Sequence, residues 1–138
     1  MRKTPPLPVY VDYGFATGAV GSALLLARIR RGSAERLLRI PFALPAAAAL
    51  GERLAGYIAL HALVEALQSF GITIGTIAVP DLDLLDDLRE RRSLPTELHL
   101  PYIHLACLLH AWPRMRLEPG SAEELAQAAG REVALRAA

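Results

Sequence analysis

The stretch from Ala46 to Phe70 constrains this chain most, because it is long and largely apolar yet broken by Glu52, Arg53, His61 and Glu65. Without those residues it would read as a membrane span; with them it reads as a buried amphipathic helix. Leu50, Leu54, Tyr57, His61, Val64 and Gln68 recur on neighbouring turns, giving a mostly apolar face. Pro45 can open the helix and Gly71 can end it. Such a helix needs an apolar surface to lie on, which the flanking segments must supply.

They read as strands. Val9 to Phe15 is rich in β-branched and aromatic residues, and Ala19 to Ile29 is a second apolar run, with glycines at 14, 18 and 21 marking its borders. Arg30, Arg31, Gly32 and Ser33 form a polar turn into a third strand, Glu35 to Phe42, so the three make an antiparallel meander. Ile72 to Val79 is short and β-branched; following a long helix, it suggests a crossover that returns to pair in parallel. Asp81 to Leu88 suits a short helix opened by acids, and Arg89 to Ser93 a charged loop. Pro95 to Trp112 reads as another helix, bent near Pro101. A strand from Arg114 to Glu118 follows. Ser121 with Glu124 forms a capping-box pattern ahead of a closing helix that carries Leu125, Ala128, Ala129 and Val133.

At 138 residues, 53% hydrophobic and 21% charged, the chain is expected to fold as one domain spanning 1–138, far from disordered composition. A net charge of +1 gives a weak overall field, so attraction to nucleic acid must come from local patches. Two arginine clusters could hold phosphates, Arg28, Arg30 and Arg31 in the hairpin and Arg89, Arg91 and Arg92 in the later loop, although solvated turns are the commoner explanation for such clusters. Arg2 and Lys3 are followed by prolines instead of a signal-peptide core, so a cytoplasmic protein is expected. The lone Cys107, in an Ala- and Leu-rich run, reads as a small core residue. His61, His99, His104 and His110 lack metal-binding spacing with an acid, and His104 and His110 read as core or edge histidines.

The order of elements, three strands, a long helix, a strand, one or two helices, a strand and a last helix, resembles the ribonuclease H-like superfamily, and local sequence joins it. "VYVDYGF" resembles the family's opening strand, with Asp12 where its first catalytic acid stands. "IAVPDLDLLDDL" is similar to the end of its fourth strand, with Asp81 and Leu84 matching, and "SAEELAQAA" to its closing helix, with Glu123 where an Asp is usual. The resemblance covers nearly the whole chain. It implies a mixed α/β fold with a five-stranded sheet in the order 3-2-1-4-5, the first three strands antiparallel, flanked by helices. It further implies a nuclease that cuts the RNA strand of RNA–DNA hybrids using Mg²⁺ or Mn²⁺ held by Asp12, Asp81 and Glu123.

Carboxylates suit that chemistry, because paired hard cations about 3.5–4 Å apart stabilise both the attacking and the leaving oxygen of a phosphodiester. A lone carboxylate in an apolar strand, as at Asp12, is costly unless solvated, paired or bound to metal. The family's acid on the long helix falls at Gly56, where there is none; Glu52, one turn earlier, could take part of that role as a fourth catalytic acid. Tyr13 stands where a Gly usually follows the first acid, and Leu82 where a Ser usually follows the other. Asp81 can equally serve as a helix N-cap, Asp83, Asp86 and Asp87 as a solvated face, and Glu123 as a charge at a helix start. The acidic site is therefore degenerate, and two functions stand side by side: an impaired nuclease, or a catalytically inactive domain used for nucleic-acid binding or protein assembly. Hairpin edge exposure and the apolar surplus make a homodimer a further expectation.

Overall fold

A computed structural model describes residues 7–18, 21–45, 51–90 and 94–137. Its elements run β1 (Val9–Thr17), β2 (Ser22–Arg31), β3 (Ala34–Ala43), α1 (Gly51–Ser69), β4 (Gly75–Val79), α2 (Leu82–Glu90), a 3₁₀ turn (Thr96–Leu98), α3 (His99–His110), β5 (Met115–Pro119) and α4 (Glu123–Ala137). The five strands form one sheet in the order β3-β2-β1-β4-β5. β1 pairs antiparallel with β2 and parallel with β4, β2 antiparallel with β3, and β4 parallel with β5. This is the expected sheet. Gly32, at φ 60°, takes the left-handed conformation that the tight β2–β3 turn needs.

Strand periodicity divides the core between the two faces of the sheet. Val9, Val11 and Tyr13 of β1 join Leu25, Ala27 and Ile29 of β2 and the buried face of α1, which consists of Tyr57, Leu60, Leu63, Val64 and Leu67. On the opposite face Leu24 and Leu26 of β2 meet Ala122, Leu125 and Ala129 at and along α4. The face of α1 is rotated from the expected one: Ala55, Ala59, Leu60 and Leu63 are buried, while His61 and Gln68 are only half-buried. The α1 residues expected before Gly51, Leu50 among them, lie outside the described residues, as do Arg91 and Arg92.

Several local expectations need correction. The helix expected over 95–112 begins instead as a 3₁₀ turn, with α3 starting at His99. Pro101 falls in the first turn of α3, where a missing N–H costs no intrahelical bond. Cys107 is exposed, because α3 turns Leu105 inward and a residue two positions on projects from the far side of the helix. His104 and His110 are exposed too. Asp87, expected on a solvated face, is buried to 2% exposure. The first bonds of α4 go to the Ala122 carbonyl, one residue beyond the expected cap at Ser121.

Candidate functional site

β1 offers Asp12 and Tyr13 to opposite faces of the sheet, and this decides what each can do. Asp12 lies opposite Arg28 in the antiparallel register, so the two side chains share the α4 face. Arg28 clasps the carboxylate with both nitrogens, Nε to Oδ1 at 3.1 Å and Nη2 to Oδ2 at 2.5 Å, and Nη2 also donates to Glu124 at 2.9 Å. This fork-to-fork pairing satisfies an acid that is only 6% exposed. The Asp12 bond, more than any other interaction, holds the Arg28 guanidinium in its charged form.

Tyr13 turns the other way. It is buried in the α1-side core at 1% exposure, and burial pushes its hydroxyl far above the usual phenol range, with the Asp81 charge adding to the effect. Asp81 follows β4 and caps α2: its Oδ1 accepts the Leu84 N–H at 3.0 Å, and its backbone carbonyl takes the Leu85 N–H at 3.2 Å. Its carboxyl is raised above the ordinary range, mainly because it is half-buried, with Asp83 and Asp87 adding; the Leu84 N–H and Arg53 work against the shift. Oδ2 of Asp81 reaches over α1 at Gly56, so close that a Cβ there would overlap it. Gly56 therefore leaves the room that Asp81 occupies.

A cavity of about 500 Å³ opens at this end of the sheet, lined by Tyr13, Glu52, Arg53, Asp81, Asp83 and Glu123 among others. Three of the four expected acids, Asp81, Glu52 and Glu123, thus border one space, whereas Asp12 is not among its lining residues. Glu52 and Glu123 are exposed. Among the described residues no group of three or more His, Cys, Asp or Glu side chains could hold a metal ion. The expected ligand set of Asp12, Asp81 and Glu123 is not brought together, because a period of two sends Asp12 through the sheet to Arg28. The residues present therefore do not fit a paired-metal centre.

Further polar residues form a cluster that is not legible in the sequence. Asp87 Oδ2 accepts hydrogen bonds from both the Tyr57 hydroxyl and Arg53 Nη2, each at 2.8 Å, tying α1 to α2. Burial raises the Tyr57 hydroxyl well above its ordinary range, and the bond to Asp87 adds to it. The signal for this pair is weak: Arg53 and Tyr57 are one helical turn apart, but their partner lies thirty-odd residues on, on another helix. Arg28 is visible in the sequence only as one of a basic cluster; its role depends on the β1–β2 register.

The sheet order, the crossover through α1 and the helices on both faces define a ribonuclease H-like fold. The solved structures bear this out: RNase H1 from Halobacterium salinarum is similar at a TM-score of 0.69 and 16% identity, over 91% of this chain and 98% of that one. The N-terminal RNase H domain of a Mycobacterium tuberculosis protein gives 0.64 at 18% identity, over 96% and 99%. LC11-RNase H1, isolated from compost by a metagenomic approach, gives 0.65 at 16%, over 94% and 97%. No family model matches the sequence, and no curated protein matches it. At these identities the likeness is one of fold. No helix among the described residues is long and apolar enough to cross a membrane.

Proposed function

We propose that this chain is a non-hydrolytic ribonuclease H-fold domain that binds nucleic-acid duplexes, the RNA–DNA hybrid foremost, without cutting them. One observation carries the reading: the β1 side chain on the same side as Asp81 is the buried Tyr13, while the neighbouring acid Asp12 is paired with Arg28 on the far face. Losing the ligands of a paired-metal site removes both the charge stabilisation and the positioning that phosphodiester hydrolysis needs. Support for hybrid binding comes from the fold: LC11-RNase H1 has been solved with an RNA/DNA hybrid, and that structure is similar to this chain at a TM-score of 0.59 and 14% identity, over 86% of this chain and 89% of that one. With a net charge of only +1, phosphate contacts would have to come from local arginine clusters such as Arg28, Arg30 and Arg31, and the salt dependence of affinity would report how many are made.

The hydrolytic reading retains the shared cavity of Glu52, Asp81 and Glu123 in its favour. One experiment separates the two. Labelled RNA–DNA hybrid is incubated with the protein in Mg²⁺ and in Mn²⁺, beside an active ribonuclease H, and binding is followed by fluorescence anisotropy with hybrid, double-stranded RNA and double-stranded DNA. The expected outcome is saturable hybrid binding with no cleavage in either metal. Cleavage that is lost in Asp81→Asn would establish the nuclease instead. No binding to any duplex would leave protein assembly as the function of the domain.

A further inference from the structure

We infer that the open edge of β3 pairs with β3 of a second copy of this chain, antiparallel and in a register centred on Leu37, so that two sheets join into one. This does not depend on the function proposed above. β3 is the outermost strand on its side of the sheet, and Glu35, Leu37 and Arg39 are exposed along it. Leu37 is 61% exposed, a large apolar side chain on a long unpaired edge.

Backbone parity shows which residues the edge presents. Leu44 donates its N–H to Gly21 at 2.8 Å, and the β2–β3 pairing runs from Ser22↔Ala43 to Arg31↔Ala34 without a bulge. Even-numbered residues of β3 therefore bond to β2, and Glu35, Leu37, Arg39 and Pro41 turn their backbone groups to the open edge. Pro41, which has no N–H, stands where an N–H would find no partner in the sheet.

The same residues are self-complementary. A two-fold axis at Leu37 sets Leu37 against the partner's Leu37, and Glu35 against the partner's Arg39 on both sides of the axis, each pair able to exchange both backbone bonds. Other centres fail. Placing the axis at Glu35, Arg36 or Arg39 opposes like charges, and placing it at Leu38 sets Pro41 opposite Glu35, where a donor is missing. The ion pair of Arg39 with Glu132 does not exhaust the five donors of the guanidinium. Glu35 is held only loosely, 3.7 Å from Arg28 and 3.9 Å from Arg30. Each is free to reach across the axis. A C₂ pairing of this kind is closed, so it ends at the dimer instead of growing a fibre.

Charge reversal tests it. Light scattering across a concentration series should give a dimer for the native chain, and Glu35→Arg and Arg39→Glu should each raise the dimer dissociation constant by about tenfold or more, since each turns two attractive cross-strand pairs repulsive. Mixing the two variants should restore association, because in the mixed dimer both cross-strand pairs again set an arginine against a glutamate. As Arg39→Glu also faces Glu132, Leu37→Lys provides a second disruption that leaves that ion pair intact. A native chain that is monomeric throughout, a dimer indifferent to Glu35→Arg and Leu37→Lys, or folded variants that fail to associate on mixing would each overturn the inference.

Discussion

On the α4 side of β1, Asp12 is closed off by Arg28 at 2.5 Å, with Glu124 on the same guanidinium; on the α1 side, Tyr13 fills the core and Asp81 leans over Gly56. The first face answers a buried charge with a counter-charge; the second fills the position with a buried aromatic ring and leaves Asp81 half in solvent. Adjacent residues of one strand thus have unrelated fates. A sequence motif that places an acid within one position of a site does not place it in that site, because one step along a strand is a passage through the sheet.

The sharpest way to break this comparison is to move the acid across. Tyr13→Asp removes one of the largest fully buried side chains and should cost about 3–5 kcal/mol in urea unfolding, the range for deleting a buried aromatic. Combined with Gly56→Glu, it would present two new carboxylates beside Asp81. The double variant is expected to show an unfolding midpoint that rises in Mg²⁺ and falls with EDTA, whereas the native chain should be indifferent to both. Metal-dependent stability in the native chain would mean that Tyr13 and Gly56 do not exclude a cation. Pairing Tyr13→Gly with Gly56→Glu, the change that the family resemblance suggests, is a weaker form of the same test, because it clears the ring without supplying a carboxylate at position 13.

Next in size is the loss of the counter-charged face. Asp12→Asn would leave Arg28 with Glu124 and distant Glu35 as partners, and should destabilise the fold by about 2 kcal/mol, less than for a fully isolated buried pair. The same loss is expected with and without EDTA. An Asp12→Asn penalty that appeared only in the presence of divalent metal would assign Asp12 to a cation after all.

How much of this could be read in the sequence follows from which physics is local. The succession of strands and helices and the long helix were legible because alternation, turn residues and helix stops are written within a few residues of where they act, Gly32 in the hairpin and Gly71 after α1 being examples, whereas the sheet order followed only from the resemblance of that succession to the ribonuclease H-like superfamily. Asp81 was legible as a cap for the same reason, since Leu84 lies three residues away. The partner of Asp12 was not, because it depends on the β1–β2 register across a turn at 18–21, part of which lies outside the described residues. Asp87 looked like one more acid on a polar face; only the packing of α2 on α1 shows that Tyr57 and Arg53 converge on it.

The smallest effect probes the α1 face most finely, because there a glycine and a carboxylate compete for the same space. Elsewhere on an exposed helix, Gly→Ala would stabilise by roughly 0.5–1 kcal/mol. At Gly56 the new Cβ would overlap Asp81 Oδ2, and Asp81 can yield only by loosening its bond to Leu84. Gly56→Ala should therefore gain nothing in the native chain and recover its gain in Asp81→Ser, which keeps a capping oxygen but not the second one, giving a coupling of about 1 kcal/mol in a double-mutant cycle. The pH dependence supplies an independent reading. Because burial raises the Asp81 carboxyl above its unfolded value, the folded state holds that proton more tightly, so the native chain should lose stability relative to Asp81→Ser as pH rises through the carboxylate range. Below the unfolded pKa both states are protonated, and the full benefit of the neutral acid is present. If the difference between the two proteins were flat with pH, Asp81 would be better solvated than its place over Gly56 implies. If it ran the other way, growing in favour of the native chain as pH rises, a cation near Asp81 would have to be stabilising its charged form, and the contrast between the two faces of β1 would fail.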